Sequence, residues 1–373
     1  MKKRGFWGAL WDNIYVCITG RFRDEETDLN KLWDIGFVRF ARREAAPFLK
    51  KAPKLTREQK KQVKKFYAPY KRVTTLYHRI YTAEYGVFQP EYLPDDLFYT
   101  DIDRFYNDRE EARYLDNKCY YPQIFQNILQ PKMVAMRCGC NWLDDERNFL
   151  SISDVISRIQ MEEEVILKKA VNSEGGARIR FLAGDTPEPE LRKCLEEIDY
   201  DIVIQRVIKQ HAELARLHES SVNTMRLISI LSEQEVKVYA AMIRIGVGSS
   251  RIDNTSAGAL LCVIDNKGRL AKKGYLDAGY SVTKHPELGY SFEEIQIPQH
   301  VKKAVHLVKK AHPCVPHFRM VSWDIAINEE GEAVLIEANL SLGGIANTQC
   351  AMGPVFGKDT RKILEEVYQK KRV

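Results

Sequence analysis

The chain has 373 residues, of which 45% are hydrophobic and 29% are charged. A polypeptide of this length buries a large core and usually forms two or three domains, and this composition excludes a disordered or fibrous protein. No apolar run approaches the length of a membrane span. The eight cysteines are scattered without zinc-site spacing, so we interpret them as reduced thiols of a cytoplasmic protein. Redox or metal chemistry at Cys138 and Cys140, the one close pair, is the less favoured alternative.

Positive charge is concentrated in one segment. Residues 39–72 contain 13 Lys or Arg and 2 Asp or Glu, a net of +11, whereas the whole chain carries +6. One interpretation is a contact with an anionic surface such as a membrane or an acidic glycan. The favoured alternative is a solvated helix face, with basic residues at helical spacing. These basic residues are Arg57, Lys60, Lys61, Lys64 and Lys65. The segment lacks a recognisable nucleic-acid-binding module, so we expect no nucleic-acid partner.

Residues 1–112 are predicted to be mainly helical and are divided into short pieces by prolines. Trp7, Trp11, Ile14 and Ile18 share one helical stripe. Such a stripe either packs on the core or lies at the inner face of the membrane as a peripheral contact. No strand, glycine-rich loop and helix follow one another here, so a dinucleotide-binding fingerprint is not expected.

From Lys118 onwards the pattern alternates between strands and helices, so we predict an α+β fold. Capping residues and apolar periodicity predict four helices, over 153–160, 188–198, 301–311 and 358–371. Alternating or continuous apolar runs predict strands over 132–137, 164–170, 178–182, 201–208, 224–230 and 236–244.

A lysine and a glycine pair follow one of these strands. Lys168 lies at the strand end, and Gly175 and Gly176 lie in the loop behind it. A lysine supplies a point charge for phosphate oxygens, and glycines allow backbone N–H groups to approach them. Lys118 is a second candidate for a phosphate contact. An ordinary turn between strands would also explain the glycine pair.

Near the end of the chain, two apolar runs flank the polar segment Asn328-Glu-Glu-Gly-Glu, which predicts a β-hairpin. Glu337 and Asn339 share one face of the second strand, and a turn centred near Glu330 places Asp324 opposite Ile336 or Glu337. Carboxylates set among apolar residues are costly to desolvate unless a cation lies between them. Oxygen ligands on a firm hairpin suit Mg²⁺, although an exposed polar face would give the same pattern.

The order of these elements, together with several short motifs, resembles the ATP-grasp superfamily. More narrowly, it resembles the sugar-transfer-associated ATP-grasp group of bacterial surface-polysaccharide gene clusters. The motifs that carry the resemblance are Ser221-Val-Asn-Thr-Met-Arg226-Leu, Arg244-Ile-Gly-Val-Gly, Asp253-Asn-Thr-Ser-Ala-Gly258, His285-Pro-Glu-Leu-Gly289, Trp323-Asp-Ile-Ala and Glu337-Ala-Asn339. The resemblance covers the chain from about Lys118 and implies two α+β lobes that hold ATP between them. We therefore divide the chain into a helical region (1–112), a small lobe (113–204) and a large lobe (205–373).

The resemblance also implies residue roles. Lys118 and Lys168 would contact phosphates together with the Gly175–Gly176 loop, and strand alternation allows either Lys168 or Lys169, but not both, to face them. The remaining implied roles are adenine recognition by a hinge at Gln205, Arg206 and Val207, ribose binding by Glu213, Mg²⁺ binding by Asp324, Glu337 and Asn339, phosphoryl stabilisation by Arg226 and Arg244, and acceptor binding by Asn223, Asp253, Asn254 and His285.

By resemblance, the expected activity is that of an ATP-dependent ligase. A carboxylate would attack the γ-phosphate of MgATP, and an amine or another nucleophile would then displace phosphate from the acyl phosphate. The acceptor is expected to be a carboxylate, a sugar-linked molecule or a glycan precursor. The alternatives are a sugar kinase on the same fold and a non-catalytic protein that binds glycans or membranes.

Overall fold

In a computed structural model, the chain is described over residues 29–171, 179–233, 235–251, 258–276 and 281–369. The stripe at Trp7 and Trp11, the Gly175–Gly176 loop, and Asp253 and Asn254 lie outside the described residues. The described part contains helices and two antiparallel sheets, in agreement with the predicted α+β class.

The first sheet has six strands in the order β3-β2-β1-β6-β4-β5. Its strands are β1 (Met133–Cys138), β2 (Asn141–Leu143), β3 (Phe149–Leu150), β4 (Glu164–Lys169), β5 (Arg180–Ala183) and β6 (Ile202–Arg206). The side chains of Val165 and Leu167 alternate along β4 into the core of this lobe, next to Ile204 of β6. The opposite face of β4, which carries Ile166 and Lys168, is left for other contacts.

The second sheet has seven strands in the order β11-β10-β9-β8-β7-β12-β13. Its strands are β7 (Met225–Leu231), β8 (Val236–Ile245), β9 (Leu260–Ile264), β10 (Leu270–Tyr275), β11 (Ser281–Val282), β12 (Met320–Ile327) and β13 (Ala333–Asn339). All eight residues of β12 are buried, because helices cover both faces of this sheet. The side chains on this strand are therefore held in fixed positions by packing.

The helices are numbered in chain order. They are α1 (Leu29–Lys51), α2 (Arg57–Tyr67), α3 (Leu76–Tyr85), α4 (Asp95–Leu97), α5 (Asp103–Tyr106), α6 (Arg109–Leu115), α7 (Tyr121–Ile124), α8 (Ile152–Gln160), α9 (Glu188–Glu196), α10 (Ala212–Ala215), α11 (Pro298–Ala311), α12 (Ala346–Met352) and α13 (Thr360–Gln369). Among the described residues, none of these helices combines the length and the apolar character needed to cross a bilayer.

The N-terminal helices share a core with the large lobe. Val63 and Phe66 of α2 pack with Ile228 of β7 and Met242 of β8, and α13 contributes Leu364 to the same cluster. Helix α11 covers the other face of the sheet through residues such as Val308. The described part of the region up to residue 112 therefore packs onto the seven-stranded sheet, and a second buried cluster joins α1 and α3 to Tyr275 of β10 and Cys350 of α12.

Helix α2 also carries the basic segment. Its N-terminus is fixed by a capping box between Thr56 and Gln59, and Val63, Phe66 and Tyr67 form its buried face. The five basic residues at helical spacing, Arg57, Lys60, Lys61, Lys64 and Lys65, are all exposed. This is the amphipathic arrangement that a solvated helix face requires.

Candidate active site

A cleft lies between the two sheets and is lined by both lobes. The small lobe contributes Ile166, Lys168, Ile179 and Phe181, and the large lobe contributes Asp324, Ile336 and Glu337, with further contributions from Lys118, Arg244 and Arg251. Apolar side chains thus lie beside a group of cations and carboxylates. This combination suits a ligand with a flat apolar part and an anionic part.

Three charged residues occupy one rung of the large sheet. Asp324 of β12 pairs with Glu337 of β13 on one side and with Arg226 of β7 on the other. The predicted hairpin is therefore confirmed, with its turn at Asn328–Glu332 and Gly331 at a φ of 75°. Of the two registers expected, the structure has the one that pairs Asp324 with Glu337. Paired residues in neighbouring strands point to the same face, so the register brings these charges together.

Two arginines hold the Asp324 carboxylate. Arg226 donates two hydrogen bonds to it, at 2.8 and 2.7 Å, and Arg244 donates one at 3.2 Å. Burial alone would raise the pKa of Asp324, but the two guanidinium groups outweigh it and lower this pKa to about 2. The carboxylate is therefore ionised at neutral pH although its side chain is only 3% exposed.

Lys118 completes the group of charges. It lies in a one-turn segment, Lys118–Tyr120, that Asn117 caps by accepting a hydrogen bond from the Cys119 N–H at 2.9 Å. The Lys118 N–H donates to the carbonyl of Ala170 at 3.0 Å, which ties this turn to the end of β4. The Lys118 ammonium donates to Glu337 at 2.7 Å. Three cations and two carboxylates thus meet at the cleft, which leaves a net positive charge for an anionic ligand.

Lys168 and Lys169 lie on opposite faces of β4. Lys168 follows Ile166 on the cleft face and lines the cleft. Lys169 shares its face with Val165 and Leu167, which belong to the small-lobe core. Of the two lysines, Lys168 is therefore the one placed for a phosphate contact.

The predicted hinge follows strand β6 along the cleft. Gln205 pairs with Ile166, so its side chain lies on the cleft face. The N–H groups of Arg206 and Val207 donate to the carbonyls of Lys132 and Glu164, at 2.9 and 3.1 Å. These two N–H groups are thus already used by the sheet, and adenine contacts through them would require these bonds to be exchanged.

The Arg206 side chain binds a carboxylate that the sequence analysis missed. Glu162 is buried and accepts hydrogen bonds from Arg206 and, at 2.6 Å, from Lys132. Burial opposes ionisation, yet these two cations lower the pKa of Glu162. The acidic run Glu162-Glu163-Glu164 before an apolar strand was the signal that could have drawn attention to it.

Glu213 does not lie in the cleft. Its carboxylate accepts a hydrogen bond from His300 of α11 at 2.7 Å, and its N–H donates to His211 at 3.3 Å. The structure therefore places Glu213 beside α11, and the ribose contact stays a prediction.

Asn223 and His285, expected to face the acceptor, are buried. The Asn223 amide donates to the carbonyls of Leu214 and His218, both at 2.9 Å. His285 Nε2 donates to the carbonyl of Gly246 at 2.9 Å, which makes Nδ1 the acceptor nitrogen. Both side chains fix the loops around Gly246, where a Cβ atom would meet His218 at 2.3 Å. Their role in the structure is to shape the loops, and neither presents a polar group to the cleft.

Arg251 is a second residue that the sequence analysis missed. It donates two hydrogen bonds to Glu164 of β4, at 2.7 and 2.5 Å, and its guanidinium lies 3.8 Å from the ring centroid of Phe181. The pair joins a large-lobe loop to the small lobe at the edge of the cleft. Its only sequence signal was the position of Arg251 directly after the glycine-containing segment 246–250.

The donor set fits a hard divalent cation. Asp324 and Glu337 face the same side of one rung, and Asn339 lies two residues further along β13. The Asn339 amide donates to the carbonyl of Ser322 at 3.1 Å, and this leaves its side-chain oxygen to serve as a ligand. Carboxylate and amide oxygens are the ligands that Mg²⁺ prefers, and it commonly keeps phosphate oxygens in its shell.

A protein-family model described as sugar-transfer associated ATP-grasp matches residues 97–365, which is more than half of the chain. The chain belongs to the sugar-transfer associated ATP-grasp family. This membership confirms the family expected from the sequence and the ATP-grasp fold of two α+β lobes. The match begins at residue 97 and so includes the end of the helical region as well as both lobes. No curated protein matches the sequence.

Several solved structures resemble this ATP-grasp protein. An ADP complex of N5-carboxyaminoimidazole ribonucleotide synthetase is 13% identical, with a TM-score of 0.37 over 61% of this chain and 45% of that one. The ATP-grasp ligase PsnB with a precursor variant, Mg and ADP is 14% identical, with a TM-score of 0.41 over 70% and 61%. The D-alanine–D-alanine ligase of Bacillus anthracis is 11% identical, with a TM-score of 0.39 over 69% and 68%. The chain spans less than two thirds of the first two. Similarities of this size do not indicate the activity of this chain.

Proposed function

We propose that this protein is an ATP-dependent ligase that activates a carboxylate as an acyl phosphate and transfers it to an amine or a related nucleophile. The observation that carries the proposal is the group of charges formed by Lys118, Arg244, Asp324 and Glu337 in one cleft between two lobes, with Arg226 bound to Asp324. Family membership supports ATP as the substrate. The family description refers to sugar transfer and so supports a sugar or glycan precursor as one reactant. A place in polysaccharide biosynthesis in the cytoplasm is part of the same proposal.

In this proposal the apolar part of the cleft holds adenine and the charged part holds the triphosphate. Ile166, Phe181 and Ile336 would cover the base. Lys118 and Lys168 would contact phosphate oxygens. Asp324, Glu337 and Asn339 would hold Mg²⁺, which neutralises phosphate charge during transfer. Arg226 and Asp324 form a bidentate pair, and the Oδ1 atom of Asp324 accepts one hydrogen bond in it, so this oxygen retains a lone pair with which to act as a ligand.

The arginines have a separate task in this scheme. A carboxylate oxygen of the substrate attacks the γ-phosphorus, the bond to the bridging oxygen breaks, and ADP leaves. Negative charge spreads over the equatorial oxygens of the transferring group, and fixed cations stabilise it without reorganising. Arg226 and Arg244, anchored by Asp324 in the sheet, are such cations. The nucleophile then attacks the acyl carbon and phosphate departs.

The test is a thermal-unfolding scan with ADP or a non-hydrolysable ATP analogue, with and without Mg²⁺. A ligand that binds the native state alone stabilises it by about 2.7 kcal/mol at a hundredfold excess over its Kd. We expect a Mg²⁺-dependent rise in Tm that Glu337→Gln loses. Glu293→Gln, which changes an exposed glutamate outside the cleft, is the matched control. If no nucleotide stabilises the wild type, the proposal fails. The next hypothesis to test is then a non-catalytic protein that binds glycans or membranes, for which we expect salt-sensitive binding to glycans or vesicles.

A second measurement distinguishes a ligase from a sugar kinase. With candidate sugar acids and amines, a ligase releases ADP and free phosphate in equal amounts and forms a new bond between the two substrates. A sugar kinase on the same fold releases ADP and retains the phosphate on its product. Phosphorylated sugar without free phosphate would replace the ligase proposal with the kinase.

A further inference from the structure

Two cysteine thiols lie in contact beside the turn that carries Lys118. Cys119 directly follows Lys118 and is 1% exposed, whereas Cys138, at the end of β1, is half-buried. Cys119 belongs to a small buried cluster with Met136, Ala170 and Val203, and Cys138 packs against this cluster. The Cys119 sulfur also lies 3.7 and 3.8 Å from the carbonyl oxygens of Ile202 and Arg137. The sequence places these cysteines 19 residues apart, so only the fold brings them together.

Arg147 is built into the same site. One guanidinium nitrogen lies 3.9 Å from the Cys138 sulfur, and the other donates to the Cys119 carbonyl at 2.9 Å. The second nitrogen also donates to Gln123 at 2.6 Å, which fixes the group in place. Arg147 has a φ of 72°, a left-handed conformation that is costly for a residue with a side chain. Asp144 holds this loop by accepting hydrogen bonds from the N–H groups of Glu146 and Asn148 at 3.1 and 2.8 Å.

The surroundings make Cys138 the more reactive thiol. The neighbouring Cys119 thiol is the largest influence and, with the Arg147 cation, lowers the pKa of Cys138 to about 7, against burial and the nearby Asp201 carboxylate. The neighbouring Cys138 sulfur and burial raise the pKa of Cys119. Cys138 is thus an accessible thiolate with a neutral thiol as its neighbour, which is the arrangement of a reactive cysteine and its resolving partner.

We propose that Cys119 and Cys138 form a reversible disulfide that weakens nucleotide binding in the cleft. The oxidant is a peroxide. The Cys138 thiolate attacks a peroxide oxygen, the O–O bond breaks, and a sulfenic acid and water result. The Cys119 sulfur then attacks the sulfenic sulfur, loses its proton, and a second water leaves. Two thiols and hydrogen peroxide thus give one disulfide and two waters, and a dithiol reverses the reaction by exchange.

The disulfide would act through Lys118. A covalent S–S bond is much shorter than a packing contact between two thiols, so oxidation draws Cys119 towards Cys138. Cys119 lies in the same turn as Lys118, whose ammonium is 2.7 Å from Glu337 in the cleft. We expect oxidation to displace this ammonium and to weaken nucleotide binding about 10- to 100-fold, the effect of losing one hydrogen bond from a charged group. This second part rests on the proposed function, whereas disulfide formation does not.

The first experiment maps the disulfide in the full chain. The protein is treated with graded hydrogen peroxide, alkylated, and digested without reduction for mass spectrometry. We expect a Cys119–Cys138 cross-link in the wild type and in Cys140→Ser, none in Cys119→Ser or Cys138→Ser, and its loss on treatment with dithiothreitol. Cys140 is exposed in the adjacent turn and provides the matched control. A Cys138–Cys140 cross-link, or oxidation of Cys138 no earlier than of the exposed Cys140 and Cys314, would overturn the proposal.

The second experiment measures ADP affinity with Mg²⁺ by calorimetry on reduced and oxidised protein. We expect weaker binding by the oxidised wild type, restored by dithiothreitol, and no effect of peroxide on the affinity of Cys119→Ser. A mapped cross-link with unchanged ADP affinity would refute the proposed effect of the disulfide on nucleotide binding. Absence of ADP binding by the reduced protein would instead refute the proposed function, and the mapping would still decide whether the disulfide forms.

Discussion

At the scale of single residues, the cleft depends on which side of a strand a lysine occupies. Lys168 and Lys169 are neighbours with the same charge, yet β4 directs Lys168 to the cleft and Lys169 to the face of the small-lobe core. Their chemistry is the same, so a difference between them would report geometry alone. This makes the two lysines a matched pair.

We expect Lys168→Met to weaken ADP binding about 10- to 100-fold, because a hydrogen bond from a charged donor to phosphate contributes about 1.5–3 kcal/mol. Lys169→Met should change the affinity by no more than about twofold, the usual size of a substitution away from a site. Calorimetric titration of both variants with ADP and Mg²⁺ measures the difference. Equal losses in the two variants would contradict the placement of Lys168.

At the scale of elements, β12 is tied to its surroundings by a chain of buried hydrogen bonds. The Trp323 indole donates to the Ser229 hydroxyl at 2.8 Å, the hydroxyl is 2.8 Å from His312 Nδ1, and His312 Nε2 is 2.8 Å from the carbonyl of Phe318. A carbonyl accepts only, so Nε2 carries the proton and Nδ1 accepts from Ser229. This chain connects β7, β12 and the segment after α11 with the ring of His312 uncharged.

Burial lowers the pKa of His312 from 6.5 to about 4. The unfolded chain therefore binds a proton at higher pH than the folded chain does, so stability is complete above pH 6.5 and falls as the pH is lowered towards 4. The shift corresponds to about 3 kcal/mol of unfolding free energy. Urea unfolding at several pH values should show a pH dependence that is smaller by about this amount in His312→Gln than in the wild type. Identical pH dependences would show that His312 is not held neutral by the fold. His78, buried with a similar shift, should retain its own contribution in both proteins.

At the scale of the whole molecule, the two lobes are joined across the cleft by Arg251 and Glu164. Their side chains are 43% and 29% exposed, so the pair contributes little to overall stability. Arg251 lines the cleft, however, so we expect that breaking the pair would make the cleft easier for ligands to enter and leave. We therefore expect the pair to affect the rates of ligand association and release, and not the free energy of unfolding.

We expect Glu164→Gln to accelerate both association and release of a fluorescent ADP analogue, by about two- to fivefold, because an exposed pair is worth about 0.2–1 kcal/mol. The Tm should stay close to that of the wild type. Stopped-flow fluorescence measures both rates. The control is Glu163→Gln, which removes an exposed pair with Lys209 at 2.6 Å instead. Unchanged rates in Glu164→Gln, or the same change in the control, would contradict a gate at this position.

The sequence predicted those parts of the site that depend on local pattern. The hairpin of β12 and β13 was predicted because a polar turn separates two apolar strands. The turn left Ile336 and Glu337 as possible partners of Asp324, and the structure has Glu337. Strand alternation predicted that either Lys168 or Lys169, but not both, would face the phosphates. Motif order indicated the family, because the order of elements is a property of the whole chain.

Other parts depended on packing between distant segments. Asn223 and His285 belong to family motifs, but their polar atoms are taken up by backbone groups that only the folded loops bring near. Arg251 reaches Glu164 over 87 residues of sequence, and the Cys119–Cys138 contact forms across the end of a sheet. Periodicity carries no information about contacts between distant segments. Asn223 and His285 were therefore assigned to the acceptor site, and Arg251 and the Cys119–Cys138 contact were missed.

The rung of Arg226, Asp324 and Glu337 also restricts how the chain can change in length. Side chains alternate between the two faces of β12, and both faces are buried. Inserting or deleting one residue in this strand would turn the side chains beyond that point to the opposite face. Asp324 would then leave its partners, and its charge would lie on the face where Trp323 packs. Such a change would therefore disrupt the packing of the core and the charged group of the cleft at the same time. The turn at Asn328–Glu332 and the loops at the strand ends have no such constraint. Related chains that acquired new acceptors are thus expected to differ in loop length, while the spacing within these three strands stays constant.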